Sequence, residues 1–219
     1  MKNLKNALLL KQLYQLKNLG YRYTSVSIFK DEEPNLTLPH SLEELKKQAH
    51  NCHLCTLSKT RNKVVFGEGN SNATLMFVGD MPSSSDDSSG KIWSDRAGST
   101  LNKMIENVLG LTRETVYCTN ILKCRAQDTL NPSSSHTHTC YPYLLKEIEL
   151  VSPKIIVAFG ELAYTYLTQD DSPIEKIHGM VYQAEHYKVI GMYHPNHLLK
   201  NPSLKKEVFE DLKKLKALL

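Results

Sequence analysis

The sequence predicts an α/β fold: a three-layer α/β/α sandwich around a central four-stranded parallel sheet, with an N-terminal helical extension. Three observations predict it. Four short runs of apolar, β-branched or aromatic residues stand at 73–78, 115–119, 154–159 and 187–193. Helix-like segments separate them, at 101–109, 139–150 and 161–167. The chain has 219 residues, 41% of them hydrophobic, enough to bury one good core with a small extension. Strands that alternate with helices need right-handed crossovers, and those crossovers make a parallel sheet with helices on both faces.

Taken in order, residues 1–20 read as an amphipathic helix, with Leu4, Leu8, Leu13 and Leu16 near helical spacing and Gly20 as its end. Residues 21–40 carry Pro34 and Pro39 and read as a linker. The main domain is expected over 41–219. Its first helix starts near Ser41, where Ser41-Leu42-Glu43-Glu44 resembles a capping box. The serine-rich stretches 83–89 and 133–135 read as short loops, and 203–219 as a last amphipathic helix. The four strands end in Gly79-Asp80-Met81-Pro82, Asn120, Gly160 and His194-Pro195. Ligands of open parallel sheets sit outside the carboxyl ends of the strands, so these polar residues converge on the edge where chemistry is expected.

Charge narrows little. The 27 basic and 23 acidic residues leave a net charge of +4, with positives gathered at Lys2 to Lys17 and Lys200 to Lys216. No apolar run reaches the roughly eighteen residues a membrane span needs. The opening apolar stretch is broken by Lys11 and Gln12 and has no small-residue cleavage site after it, which predicts the cytoplasm. Five cysteines, an odd number, argue against a disulfide framework and for metal binding.

Cys52-x-x-Cys55 is a tight chelating loop, and Cys124 and Cys140 follow, sixteen residues apart. Four thiolates can close a tetrahedral zinc site or hold an iron–sulfur cluster. The second pair lacks the short spacing of a zinc ribbon, which favours a cluster without deciding it. Unconnected core cysteines are the plainer alternative, and Cys118, inside a predicted strand, takes that reading.

With these cysteines around a parallel α/β core, the chain resembles the family 4 uracil-DNA glycosylases over roughly 42–218. Gly67-Glu68-Gly69 matches that family's Gly-x-Gly segment. Residues 79–87 align without a gap to its Gly-Glu-Ala-Pro-Gly-x-x-Glu-Asp loop, and 90–98 to Gly-x-Pro-Phe-Val-Gly-Arg-Ala-Gly. Thr119-Asn120 with Lys123-Cys124-Arg125 matches Thr-Asn-x-x-Lys-Cys-Arg, and 194–200 matches His-Pro-x-x-Leu-Leu-Arg. The departures are Asp80 for Glu, Met81 for Ala, Ser83 for Gly, Ile92 for Pro, Trp93 for Phe and Asp95 for Gly. His178-Gly179 replaces Arg-Gly, and Ala126 to Leu130 replace Pro-Pro-x-Asn-Arg.

The resemblance implies a [4Fe–4S] cluster on Cys52, Cys55, Cys124 and Cys140, with zinc the alternative that spacing leaves open. It implies a monomer that acts on single- or double-stranded DNA containing uracil, flips the nucleotide and hydrolyses the N-glycosidic bond. Trp93 suits stacking on the flipped base, against its alternative as a core indole. Asn120 suits reading the base edge, since a carboxamide can donate to uracil O4 and accept from N3–H. His194 suits stabilising negative charge on O2 of the departing base. Gly79 and Met81 belong to the same pocket loop. Asp80 and Asp86 are the candidates for the water-activating base, or else cap a helix and order the loop. Leu198 is expected to wedge into the duplex and Lys200 to meet phosphate. A weakened or retargeted DNA-binding relative is the alternative function.

Overall fold

A computed structural model describes residues 38–126 and 132–219, so the expected helix over 1–20 and nearly all of the 21–40 linker lie outside the described residues. The four expected strands form and run parallel: β2 (Leu75–Gly79), β3 (Tyr117–Asn120), β4 (Ile155–Phe159) and β6 (Lys188–Met192). Two short antiparallel strands widen the sheet at its edges, β1 (Glu68–Gly69) on β3 and β5 (Val181–Gln183) on β6. The full order is β1-β3-β2-β4-β6-β5. Every residue of β2, β3 and β4 is buried, as sheets covered on both faces require.

Helices cover those faces: α1 (Leu42–His50), α2 (Ser84–Ser89), α3 (Arg96–Lys103), α4 (Ser134–Val151), α5 (Glu161–Thr168), α6 (Ile174–Ile177), α7 (Pro195–Lys200) and α8 (Lys205–Leu218). Ser41 caps α1 by accepting from the Glu44 N–H at 3.3 Å. The serine stretches depart from expectation. Ser84–Ser89 is helical because Ser83 and Asp86 make a reciprocal capping box, and Ser133 caps α4, whose first residues are Ser134 and Ser135. Helix α3 starts five residues before its expected position and opens into a π-type segment over Met104–Leu109, closed by Gly110 at φ 74°. Among the described residues no helix is long and apolar enough to cross a membrane.

The topology sets where a site can form. From β2 the chain crosses to β3 on one side, then returns past β2 to β4 on the other. The direction of winding therefore reverses at β2, and the loops after β2 and β4 diverge above the carboxyl ends of the strands. Phe77 and Phe159 lock the two strands beneath that point, their rings stacked with centroids 5.7 Å apart.

Candidate active site

A cavity of about 370 Å³ opens at this switch point. Asp80, Met81, Asp86, Trp93, Asn120 and His194, all expected from sequence, line it together. Ser83, Asp95, Arg125 and Asn196 line it as well and were not expected. Gly79, expected in the same pocket, is not among the lining residues and acts through the room it leaves beside them. A Cβ there would lie 2.5 Å from Asn120 Oδ1 and 2.8 Å from Trp93 Cζ2, so only glycine lets the two side chains meet.

Asn120 is the last residue of β3 and 3% exposed. Its backbone carbonyl accepts from Lys123 Nζ at 2.6 Å, while its carboxamide has no partner among the described residues. The amide opens onto the cavity, so its donor and acceptor are available to a ligand there. Beneath it lies a network with no counterpart in the sequence reading. Lys123 donates from Nζ to Asn120 O, to Thr119 Oγ1 at 2.7 Å and to Glu147, so all three ammonium protons are placed. Glu147, on α4 and fully buried, accepts from Gly67 N–H, Tyr117 OH and Thr119 Oγ1 at 3.2, 2.9 and 2.9 Å. Glu147→Gln should lower unfolding stability by about 3 kcal/mol in urea titrations, because it strands a buried ammonium without its countercharge.

His194 caps α7. Its Nδ1 accepts the Asn196 N–H at 3.1 Å, so the neutral ring carries its proton on Nε2. Burial pushes its pKa down to about 4, against the opposing charge of Asp95. The imidazole is therefore a neutral donor at neutral pH. Trp93 stacks on it, with centroids 5.2 Å apart and planes 27° apart, and meets Phe159 edge-on at 5.6 Å. Trp93 is thus core indole and cavity wall at once. It sits at φ 55°, with its carbonyl where a Cβ on Gly98 would come within 1.7 Å, so α3 packs here only through that glycine.

The carboxylates divide. Asp86 accepts from Ser83 N–H at 3.0 Å through one oxygen, and from Ser94 N–H and Oγ at 2.7 and 2.8 Å through the other. It braces the loop, and both its oxygens are engaged; a role as water-activating base does not fit this geometry. Asp80 caps α5 through the Ala163 N–H at 3.1 Å using Oδ1, with no such bond to Oδ2. Burial, with help from Glu161, raises its pKa to about 7. Leu198 is corrected too: it is 1% exposed and packed in the core, so it cannot wedge into DNA as placed. Its neighbour Leu199, rotated about 100° around α7, is 42% exposed, and Lys200 is exposed beside it.

A second, smaller cavity is lined by Cys52, Cys55, Cys124 and Cys140 together with Leu57 and Tyr143. Arg61 Nη1 donates to Cys124 Sγ at 3.2 Å and the Lys123 N–H to Cys140 Sγ at 3.4 Å. Burial pushes the Cys140 thiol up to about 12 and raises Cys124 as well, so thiolates here need a bound cationic centre. Among the described residues no group of three or more Cys, His, Asp or Glu is placed to hold a single metal ion. Cys118 is buried in β3 and packs, as expected.

Residues 66–213 match the family model of the uracil DNA glycosylase superfamily. The chain is a uracil-DNA glycosylase superfamily member. The type-4 uracil-DNA glycosylase of Sulfurisphaera tokodaii is 36% identical over 186 residues, covering 81% of this chain and 84% of that protein. Those of Archaeoglobus fulgidus and Saccharolobus solfataricus are 34% and 35% identical, over 80% and 82% of this chain and 92% and 87% of theirs. The family-4 resemblance therefore holds over most of the chain. In the glycosylase, Asn120 and His194, singled out by motif position, line one cavity. Glu147 was not singled out, since it lies in a helix with no local signal, and Asp95 was marked only by its departure from the family's glycine.

Proposed function

We propose that this glycosylase flips uracil out of DNA into the switch-point cavity and hydrolyses its N-glycosidic bond, leaving an abasic site. The observation that carries the reading is the unpartnered Asn120 carboxamide, fixed by Lys123 and facing a cavity that also holds the neutral His194 donor. Uracil offers O4 and N3–H to the former and O2 to the latter, while cytosine presents the opposite pattern to Asn120. Trp93 walls the cavity for the flipped base. Leu199 and Lys200, exposed on α7, and the other positive residues near the C-terminus face the DNA, where contacts go mainly to phosphate.

Asp80 is the water-activating base of this reading, through the oxygen not engaged by α5. Purified protein should release uracil from a single-stranded uracil oligonucleotide, scored as strand cleavage after alkali. Its rate should rise with pH through about 7 as Asp80 ionises. Stability should run the other way. The folded pKa of Asp80 lies above its unfolded value of 3.8, so its ionisation costs stability as pH climbs from about 4 to about 7. Asp80→Asn should flatten both trends. A rate independent of pH between 5 and 8 in the unmodified protein would remove Asp80 from the role.

The four cysteines are proposed to hold a [4Fe–4S] cluster, which serves the fold and the placement of Lys123. Four thiols line one cavity, and the second pair, Cys124 and Cys140, lacks the short spacing of a zinc ribbon, which favours a cluster over Zn²⁺. The purified protein should be brown, absorb broadly near about 400 nm and contain iron; a colourless protein with one zinc would overturn the cluster. Five free cysteines fit a reducing compartment, and we place the enzyme in the cytoplasm as a monomer.

A further inference from the structure

The loop 90–98 departs from the family motif most consequentially at Asp95, where the family has glycine. Asp95 is the N-cap of α3, and its Oδ1 accepts the Gly98 N–H at 3.0 Å. That bond uses one of its two oxygens; no hydrogen bond engages the other. Asp95 lines the same cavity as Asn120 and His194, and its charge is felt at the His194 ring. The cavity's other carboxylates differ from it. Asp86 is held at both oxygens, and Asp80, the proposed water-activating base, is tied to α5 through one of its oxygens.

This placement has a chemical meaning in glycosidic cleavage. As the C1′–N1 bond breaks, the electron pair leaves with the base and the sugar passes through a cation shared between C1′ and its ring oxygen. Uracil O2 is bonded to the carbon next to N1, so a group beside the O2 donor is also beside C1′. We propose that Asp95 is a catalytic carboxylate of this chain that stabilises the sugar cation, acting across the broken bond from His194. The base takes its negative charge toward the His194 N–H, and the positive charge develops toward Asp95. Water then adds to C1′ through its oxygen and gives its proton to the Asp80 carboxylate, which passes it on to the uracil anion, so hydrolysis is complete with no other reactant. The inference rests on the proposed uracil excision.

The test uses Asp95→Asn, which keeps the cap to Gly98 because asparagine is an equally good N-cap. Single-turnover excision from a single-stranded uracil oligonucleotide should fall on the order of 10²-fold, with an unchanged unfolding temperature. A second readout needs no turnover. With free uracil present, the unmodified protein should bind an oligonucleotide bearing a cationic pyrrolidine abasic analogue at least tenfold more tightly than one bearing the neutral tetrahydrofuran analogue. Asp95→Asn should abolish that preference. Excision at the unmodified rate, or a preference that survives in Asp95→Asn, overturns the proposal. A protein that releases no uracil yet shows the Asp95-dependent preference would overturn the excision reading while supporting the carboxylate's role.

Discussion

His194→Ala should slow uracil excision on the order of 10²–10³-fold, because a preorganised donor to a developing anion is worth that much in rate. The Asn196 N–H at 3.1 Å from Nδ1 leaves Nε2 as the protonated nitrogen, and burial holds the ring neutral down to about pH 4. A neutral donor stabilises the departing base without transferring a proton fully to it. The loss should therefore be the same at pH 6 and at pH 8. A cationic acid would instead make the unmodified enzyme fastest near pH 4 to 5, where its carboxylate base is protonated and idle. His194 also caps α7, so its removal costs about 1 kcal/mol of stability. His194→Asn retains a capping oxygen and separates the two effects: it should recover the stability and not the rate. Recovery of both would reduce His194 to a structural cap.

Particular elements show how far sequence carries. The parallel strands were legible because each is buried on both faces, and a fully buried strand announces itself as an unbroken apolar run. The edge strands were not. Val181, Tyr182 and Gln183 are exposed, and they are a strand only because β6 offers its ladder. Likewise Ser84–Ser89 has no apolar period; its helix depends on Asp86, whose carboxylate is ordered by Ser94, and on Asp87, which accepts from Asn62 at 3.0 Å. That Asn120 and His194 meet at one cavity was legible because topology alone puts these strand ends on one edge. The expectation of an exposed Leu198 failed on α7, where Leu198 is buried and Leu199 is exposed. A helix turns about 100° per residue, so neighbouring leucines point to core and solvent, and only the packing of α7 says which is which.

The largest effect expected of any single side chain is at Asn120. Asn120→Asp replaces an amide donor with a carboxylate that can accept from N3–H but sets negative charge against uracil O4 and against the departing anion. A site built to hydrogen-bond one partner discriminates against a mismatch by roughly 10⁴-fold, and excision of uracil should fall by about that factor. The fold should be untouched, since the bond from Lys123 Nζ goes to the Asn120 carbonyl, which the substitution keeps. Nearly all of the loss should appear in the single-turnover rate and little in affinity for DNA, which is carried by phosphate contacts outside the cavity. Asn120→Ala supplies the contrast: it removes the hydrogen bonds without adding repulsion, so it should lie between the aspartate variant and the unmodified enzyme. If aspartate and alanine are equally slow, the loss is one of attraction alone, and rejection of cytosine must come from elsewhere in the cavity. If aspartate excises uracil within tenfold of the unmodified rate, Asn120 does not read the base.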